Sequence, residues 1–171
     1  RWLVDTVGPV LTLTSAPSGP TSSASAHITF TTGDAVTVTC QLDAQAAAPC
    51  SGSVDYTGLA EGSHTFTLRG TDAAGNPSSQ TALWSVDTVP PTVAITNPPP
   101  AKENAPSLTF STTGATSVTC KMDGGAATAC TSPAGYSNLA DGSHTFGVTA
   151  SDAAGNSATA TLTWTIDTTL P

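Results

Sequence analysis

Charge is the scarcest property of this sequence. Asp, Glu, Lys and Arg together make up 9% of residues, against about 25% in ordinary soluble domains. Positive charge is scarcer still, with 4 Lys plus Arg against 12 Asp plus Glu and a formal net charge of −8. Arg1, Arg69, Lys102 and Lys121 are too few and too scattered to form the basic footprint that a nucleic acid requires, and anionic lipid is disfavoured for the same reason. No apolar run approaches the roughly 20 residues of a membrane span. Aromatic residues are only 5% of the chain, so any core must be thin. Helical periodicity of useful length is missing, as are a nucleophile elbow, a paired carboxylate cleft and a phosphate loop. Catalysis is therefore not expected. A secretory leader is absent too, but the chain opens on Arg1-Trp2-Leu3-Val4, which reads as mid-strand, so that absence says nothing about secretion.

Thr, Ser, Ala and Gly fill the space, with 38% hydrophobic residues and 13 prolines. That is too apolar and too weakly charged for disorder. It suits a β-rich protein kept soluble by hydroxyls. An internal repeat organises it. Trp84-Ser85-Val86-Asp87-Thr88 recurs as Trp164-Thr165-Ile166-Asp167-Thr168, 80 residues later. Cys40 and Cys50 recur as Cys120 and Cys130, Leu59 to Phe66 as Leu139 to Phe146, and Asp72-Ala73-Ala74-Gly75-Asn76 unchanged at Asp152 to Asn156. Trp2-Leu3-Val4-Asp5-Thr6 is a third copy of the Trp-x-x-Asp-Thr element, and Asp167 to Pro171 reads like the linker Asp87-Thr88-Val89-Pro90-Pro91. The expected organisation is the last strand of a preceding module at 1–7, a first module at 8–88, a second at 89–168, and the start of a linker at 169–171. The chain thus reads as an excerpt of a longer array. Two prolines in so short a linker predict a stiff joint.

Within each module the period is two, the signature of strands. His64, Phe66 and Leu68 alternate with Thr65, Thr67 and Arg69; Leu162, Trp164 and Ile166 alternate with Thr161, Thr163 and Thr165. Val36, Val38, Cys40 and Leu42 share another predicted inward face, and Leu11 with Leu13 and Ile28 with Phe30 supply further pairs. Strands are expected near 10–14, 26–32, 35–42, 47–50, 53–57, 63–72 and 81–86, separated by turn signals. The fold class is all-β: two tandem immunoglobulin-like β-sandwich modules of about seven strands each. Phe66, Phe146, Trp84 and Trp164 are the expected core anchors.

Taken together, Cys-x-Leu/Met-Asp…Cys, Tyr-x-x-Leu-x-x-Gly-x-His-Thr-Phe, Asp-Ala-Ala-Gly-Asn and Trp-x-x-Asp-Thr…Pro resemble bacterial immunoglobulin-like repeats. The resemblance covers essentially the whole chain in two registers. Repeats of this kind occur in surface adhesins, secreted multidomain proteins and extracellular appendages, so the resemblance implies a scaffold and no chemistry of its own. It departs from antibody-type domains: the Trp lies on the last strand and the cysteines do not bridge the sheets.

Two Cys-x9-Cys pairs, one per module, predict local disulfides Cys40–Cys50 and Cys120–Cys130, hence an oxidising compartment and an extracellular or cell-surface location. Metal binding by these cysteines would need further ligands that the neighbouring sequence lacks. His64 and His144, at equivalent positions, are expected to be packed and hydrogen-bonded, whereas unmatched His27 is expected at the surface. The acidic loops carry two readings. Asp87, Glu61, Asp152 and Asn156 could converge on a module junction and hold Ca²⁺, with Asp5, Asp72 and Asn76 as an upstream equivalent; alternatively, each braces its own turn, as Asx side chains do. The second is favoured, and no other cofactor is expected. Three functions follow in order: spacer or stalk repeats of a secreted bacterial adhesin or appendage; a subunit of a self-assembling filament; and an accessory glycan-binding module, which ranks last because exposed aromatics are lacking. Partners are expected to be neighbouring copies of the module, with a host or cell-surface ligand bound elsewhere in the protein.

Overall fold

A computed structural model describes residues 4–100 and 102–169, so the expectations resting on Trp2 and on residues 170–171 lie outside the described residues. Strands are the only regular elements among them. The chain divides between Thr88 and Val89 into two compact units.

The first unit contains β1 (Thr12–Ser15), β2 (Gly19–Thr21), β3 (Ser25–Thr31), β4 (Thr37–Leu42), β5 (Ala48–Pro49), β6 (Ser53–Thr57), β7 (Gly62–Thr71) and β8 (Pro77–Val86). They form two sheets, ordered β1-β3-β6 and β2-β8-β7-β4-β5. Strict alternation along β7 turns His64, Phe66, Leu68 and Gly70 inward, where they meet Ile28 and Phe30 from the opposite sheet. Phe66, Leu68 and Ile28 are fully buried and Trp84 is 3% exposed. The residues left outside on these strands are mostly Thr and Ser, which favour extended backbone and stay wet.

Two details depart from the sequence reading. Strand β2 was not expected, because Gly19-Pro20-Thr21 has neither alternation nor length; it pairs in parallel with Trp84–Val86, and the Asp87 N–H extends that ladder to the Thr21 carbonyl at 2.9 Å. Val36 does not share the inward face of Val38, Cys40 and Leu42. It lies before β4 begins and is 63% exposed.

The second unit contains β9 (Thr92–Ile95), β10 (Ser107–Leu108), β11 (Phe110–Thr113), β12 (Ser117–Met122), β13 (Thr128–Ala129), β14 (Ala134–Gly135), β15 (Gly142–Ser151) and β16 (Ser157–Ile166). One layer is the four-stranded sheet β13-β12-β15-β16; the other consists of the short ladders β9–β11 and β10–β14. Phe146 and Val148 are fully buried against Leu108, with Trp164 and Ile166 beside them. At the 80-residue offset the stretch matching β2 begins Pro99-Pro100, whose ring nitrogens have no N–H to donate. Among the described residues, no counterpart of β2 forms there.

Candidate functional site: braced loops and chain ends

Each unit carries its own bridge. Cys40 and Cys50 are joined with Cα atoms 5.8 Å apart, Cys120 and Cys130 with Cα atoms 5.7 Å apart. Both bridges fasten a long strand to the short strand that returns beside it, Cys40 facing Ala48 and Cys120 facing Thr128. They lie within one sheet.

Beside each bridge the chain turns through Asp43 or Asp123, both at φ 51°. Asn and Asp tolerate that left-handed region better than most residues. One Asp43 oxygen accepts the Thr65 N–H at 2.7 Å; the other lies 2.8 Å from His64 Nδ1, while His64 Nε2 lies 2.8 Å from the Ala60 carbonyl. The second unit repeats this with Asp123, Thr145, His144 and the Ala140 carbonyl. A carboxylate and a carbonyl can only accept, so the arrangement favours the imidazolium, with a hydrogen on each ring nitrogen. The ring packs beside the core tryptophan in a tilted arrangement, with centroids 5.5 Å apart for His64–Trp84 and 5.8 Å for His144–Trp164. The bond to Asp43 raises the His64 pKa, aided by Ala60; for His144 the Ala140 bond leads and Asp123 follows. Burial works to raise the Asp43 carboxyl, but the bonds from Thr65 and His64 outweigh it and its pKa falls. Asp123 is lowered chiefly by His144. His27 is exposed and sits 2.6 Å from Asp55.

The acidic loop residues brace backbone within their own units. One Asp72 oxygen accepts the Ala74 and Asn76 N–H groups, both at 2.9 Å, and the other accepts the Asn76 amide. Asp152 accepts the Asn156 N–H and side-chain amide in the same way. Gly75 and Gly155 close these turns at φ 91° and 92°, a region that costs a residue with a Cβ. The Asn76 amide also reaches the Asp5 carbonyl at 3.2 Å and the Val7 carbonyl at 3.4 Å, tying down the chain segment that enters the unit. The segment that leaves is held by Glu61, whose two oxygens accept the Thr88 N–H, each at 3.1 Å, and whose Oε1 also accepts the Thr88 hydroxyl. In the second unit Asp141 takes the same role towards Thr168, at 3.0 Å and 2.8 Å. Asp5 and Asp167 each accept the N–H two residues on. Within either unit, no three His, Cys, Asp or Glu side chains of the described residues converge as a metal would require.

Of the residues singled out from sequence, the four cysteines pair within their units and Trp84, Trp164, Phe66 and Phe146 lie in the cores. Glu61 and Asp152 are occupied within their own units. The roles of Asp43 and Asp123 escaped the sequence reading, although their constant place three residues after Cys40 and Cys120 was the available signal.

The comparisons agree with this architecture. Residues 91–168 match the model of the bacterial Ig-like domain family. The fibronectin(III)-like modules of Clostridium thermocellum CbhA superpose with a TM-score of 0.54 at 19% identity, over 92% of this chain and 94% of that one. Latent PorU from Porphyromonas gingivalis aligns at 13% identity and a TM-score of 0.39, over 95% of this chain and 20% of that one. Bacteroides ovatus SGBP-B, solved with a mixed-linkage heptasaccharide, aligns at 13% identity and a TM-score of 0.34, over 88% and 65%. A search of curated proteins finds no match. Over residues 91–168 the chain is similar to the bacterial Ig-like domain family, and its fold is that of the fibronectin(III)-like modules.

Proposed function

We propose that this chain is a non-catalytic spacer stretch of a secreted bacterial surface protein, in which modules of this kind hold another part of the molecule away from the cell. The observation that carries the reading is the treatment of the chain ends in the first unit. Asn76 grips the entering backbone at Asp5 and Val7, and Glu61 grips the leaving backbone at Thr88. Side chains spent on the connections suit a protein whose connections bear the load. Local disulfides suit an oxidising exterior, and a surface rich in hydroxyls and poor in charge offers few anchors for a tight macromolecular partner. Neighbouring copies of the module are its natural partners.

Immunogold labelling of intact, unpermeabilised cells with an antibody raised against the chain tests this. Label is expected outside the envelope. Label that appears only after lysis would overturn the proposal. Sedimentation of the purified chain separates spacer from filament: a spacer stays monomeric at about 100 μM, whereas a filament subunit associates.

A further inference from the structure

The two units repeat each other closely, so a difference on an outer face points to something the fold does not need. One such difference is Arg69. It projects from the outer face of β7, directly between Thr39 on β4 and Ser79 on β8. The matching position in the second unit is Thr149, which bonds Thr159 at 2.8 Å. The fold is therefore built without an arginine at this place. Around Arg69 lies an open groove of about 510 Å³, floored by Thr37, Thr39, Thr71 and Ser79, with Pro77 and Ser78 at its side. That volume falls within the usual range of small-ligand sites. Among the described residues, no carboxylate forms an ion pair with Arg69, although the chain carries a net charge of −8. The outward lysine of the second unit behaves differently: the stem of Lys121 lies over Gly147.

The lining selects the ligand class. A guanidinium presents a planar fork of donors that matches a carboxylate. Threonine and serine hydroxyls both donate and accept, which suits groups that do the same, as sugar hydroxyls do. No aromatic or large aliphatic side chain lines the groove, so a protein partner would find no pocket for an apolar anchor. We propose that this groove binds an acidic sugar: a carboxylate-bearing pyranose within a longer glycan, its carboxylate on Arg69 and its hydroxyls on the threonine rows of β4 and β7. Contact by hydrogen bonds in an open groove makes the affinity weak, on the order of millimolar. Such a site would let a spacer lie against an acidic glycan along its side.

The test is an NMR titration of the whole chain with trigalacturonate, run beside neutral maltotriose and sodium sulfate. Trigalacturonate is expected to shift the amides of residues 37–39, 69–71 and 78–79, with binding at least tenfold weaker for maltotriose. Arg69→Thr installs the residue found at the matching place in the second unit, so it should keep the fold, which its own spectrum verifies, and lose binding at least tenfold. Arg69→Lys should retain part of it. Unchanged binding by Arg69→Thr, or no shifts at 20 mM trigalacturonate, would overturn the site. Equal affinity for sulfate would overturn the sugar and leave a simple anion site. The spacer reading is untouched by either failure, because it is decided by labelling and sedimentation.

Discussion

Removing the bridge of the second unit by the double change Cys120→Ala/Cys130→Ala should lower that unit's stability by about 3 kcal/mol. The bridge ties residues separated by 10 positions, and the chain-entropy relation for a loop of that length gives roughly 2.7 kcal/mol at 25 °C. Cys120 is 2% exposed, so truncating it adds a small packing loss, under about 1 kcal/mol. Small domains bury proportionally little surface, so a loss of this size is a large share of a total stability of about 5–15 kcal/mol. Urea unfolding followed by tryptophan fluorescence gives the measurement. The chain has 3 tryptophans, and a Trp2→Phe/Trp84→Phe background leaves Trp164 to report on the second unit. The midpoint should fall while the slope stays constant. The bridge of the first unit is intact, so its transition, followed through Trp84 in a Trp2→Phe/Trp164→Phe background, should stay put. A loss below about 1 kcal/mol, or an equal loss in both units, would refute the argument that each bridge acts locally.

Acidity should act through the two His–Asp pairs. The histidines have raised folded-state values, so their contribution is complete below the unfolded value of about 6.5 and is lost as pH rises through the folded value. Asp43 and Asp123 have lowered values, so their contribution is present above the unfolded 3.8 and is lost as pH falls through the folded value. Histidine ring NMR should show both rings titrating above the ordinary imidazole value of about 6.5; a ring titrating below it would contradict the bonding described. Trp164→Ala should cost about 3–5 kcal/mol, and Trp164→Phe less than half of that, because it also removes an indole N–H that is buried without an acceptor; equal losses in denaturant melts would contradict this. Asn76→Ala should speed protease cleavage within residues 4–8 while leaving the core folded, and unchanged cleavage would show that the clamp is idle. Chelation with EDTA should leave both melting transitions in place, whereas a Ca²⁺-dependent rise of several degrees would revive a cation role for Asp87, Glu61, Asp152 and Asn156.

Much of this architecture is legible because its physics is periodic. The alternation His64, Phe66, Leu68 reports a strand with one wet face, and a cysteine spacing that repeats in both units reports a local bridge. What stayed hidden depends on geometry that no local pattern encodes. Strand β2 is three residues held by a distant partner, and its Pro20 argues against a strand. Val36 looks like the next inward residue of β4, but the strand begins one position later. Asp43 and His64 are 21 residues apart in sequence and meet only because their strands pair with Leu42 opposite Phe66. Glu61 and Thr88 meet in the same way, across the end of the β7–β8 ladder.

The parallel pairing of β2 with β8 has a mechanical consequence. Strand β2 lies near the entrance of the first unit and β8 runs to its exit, so tension along the chain pulls the two strands in opposite directions. Parallel partners drawn apart in this way load all their hydrogen bonds together, in shear, instead of opening one bond at a time. The bonds of Gly19–Thr21 with Trp84–Val86, extended by the Asp87 N–H on the Thr21 carbonyl, form such a clasp. The equivalent stretch of the second unit begins with Pro99 and Pro100, which have no N–H to contribute to one. Two units with matching cores should therefore yield at different forces, the second first. A stretched chain of this kind would give way in steps, the weaker unit lengthening while the stronger still holds.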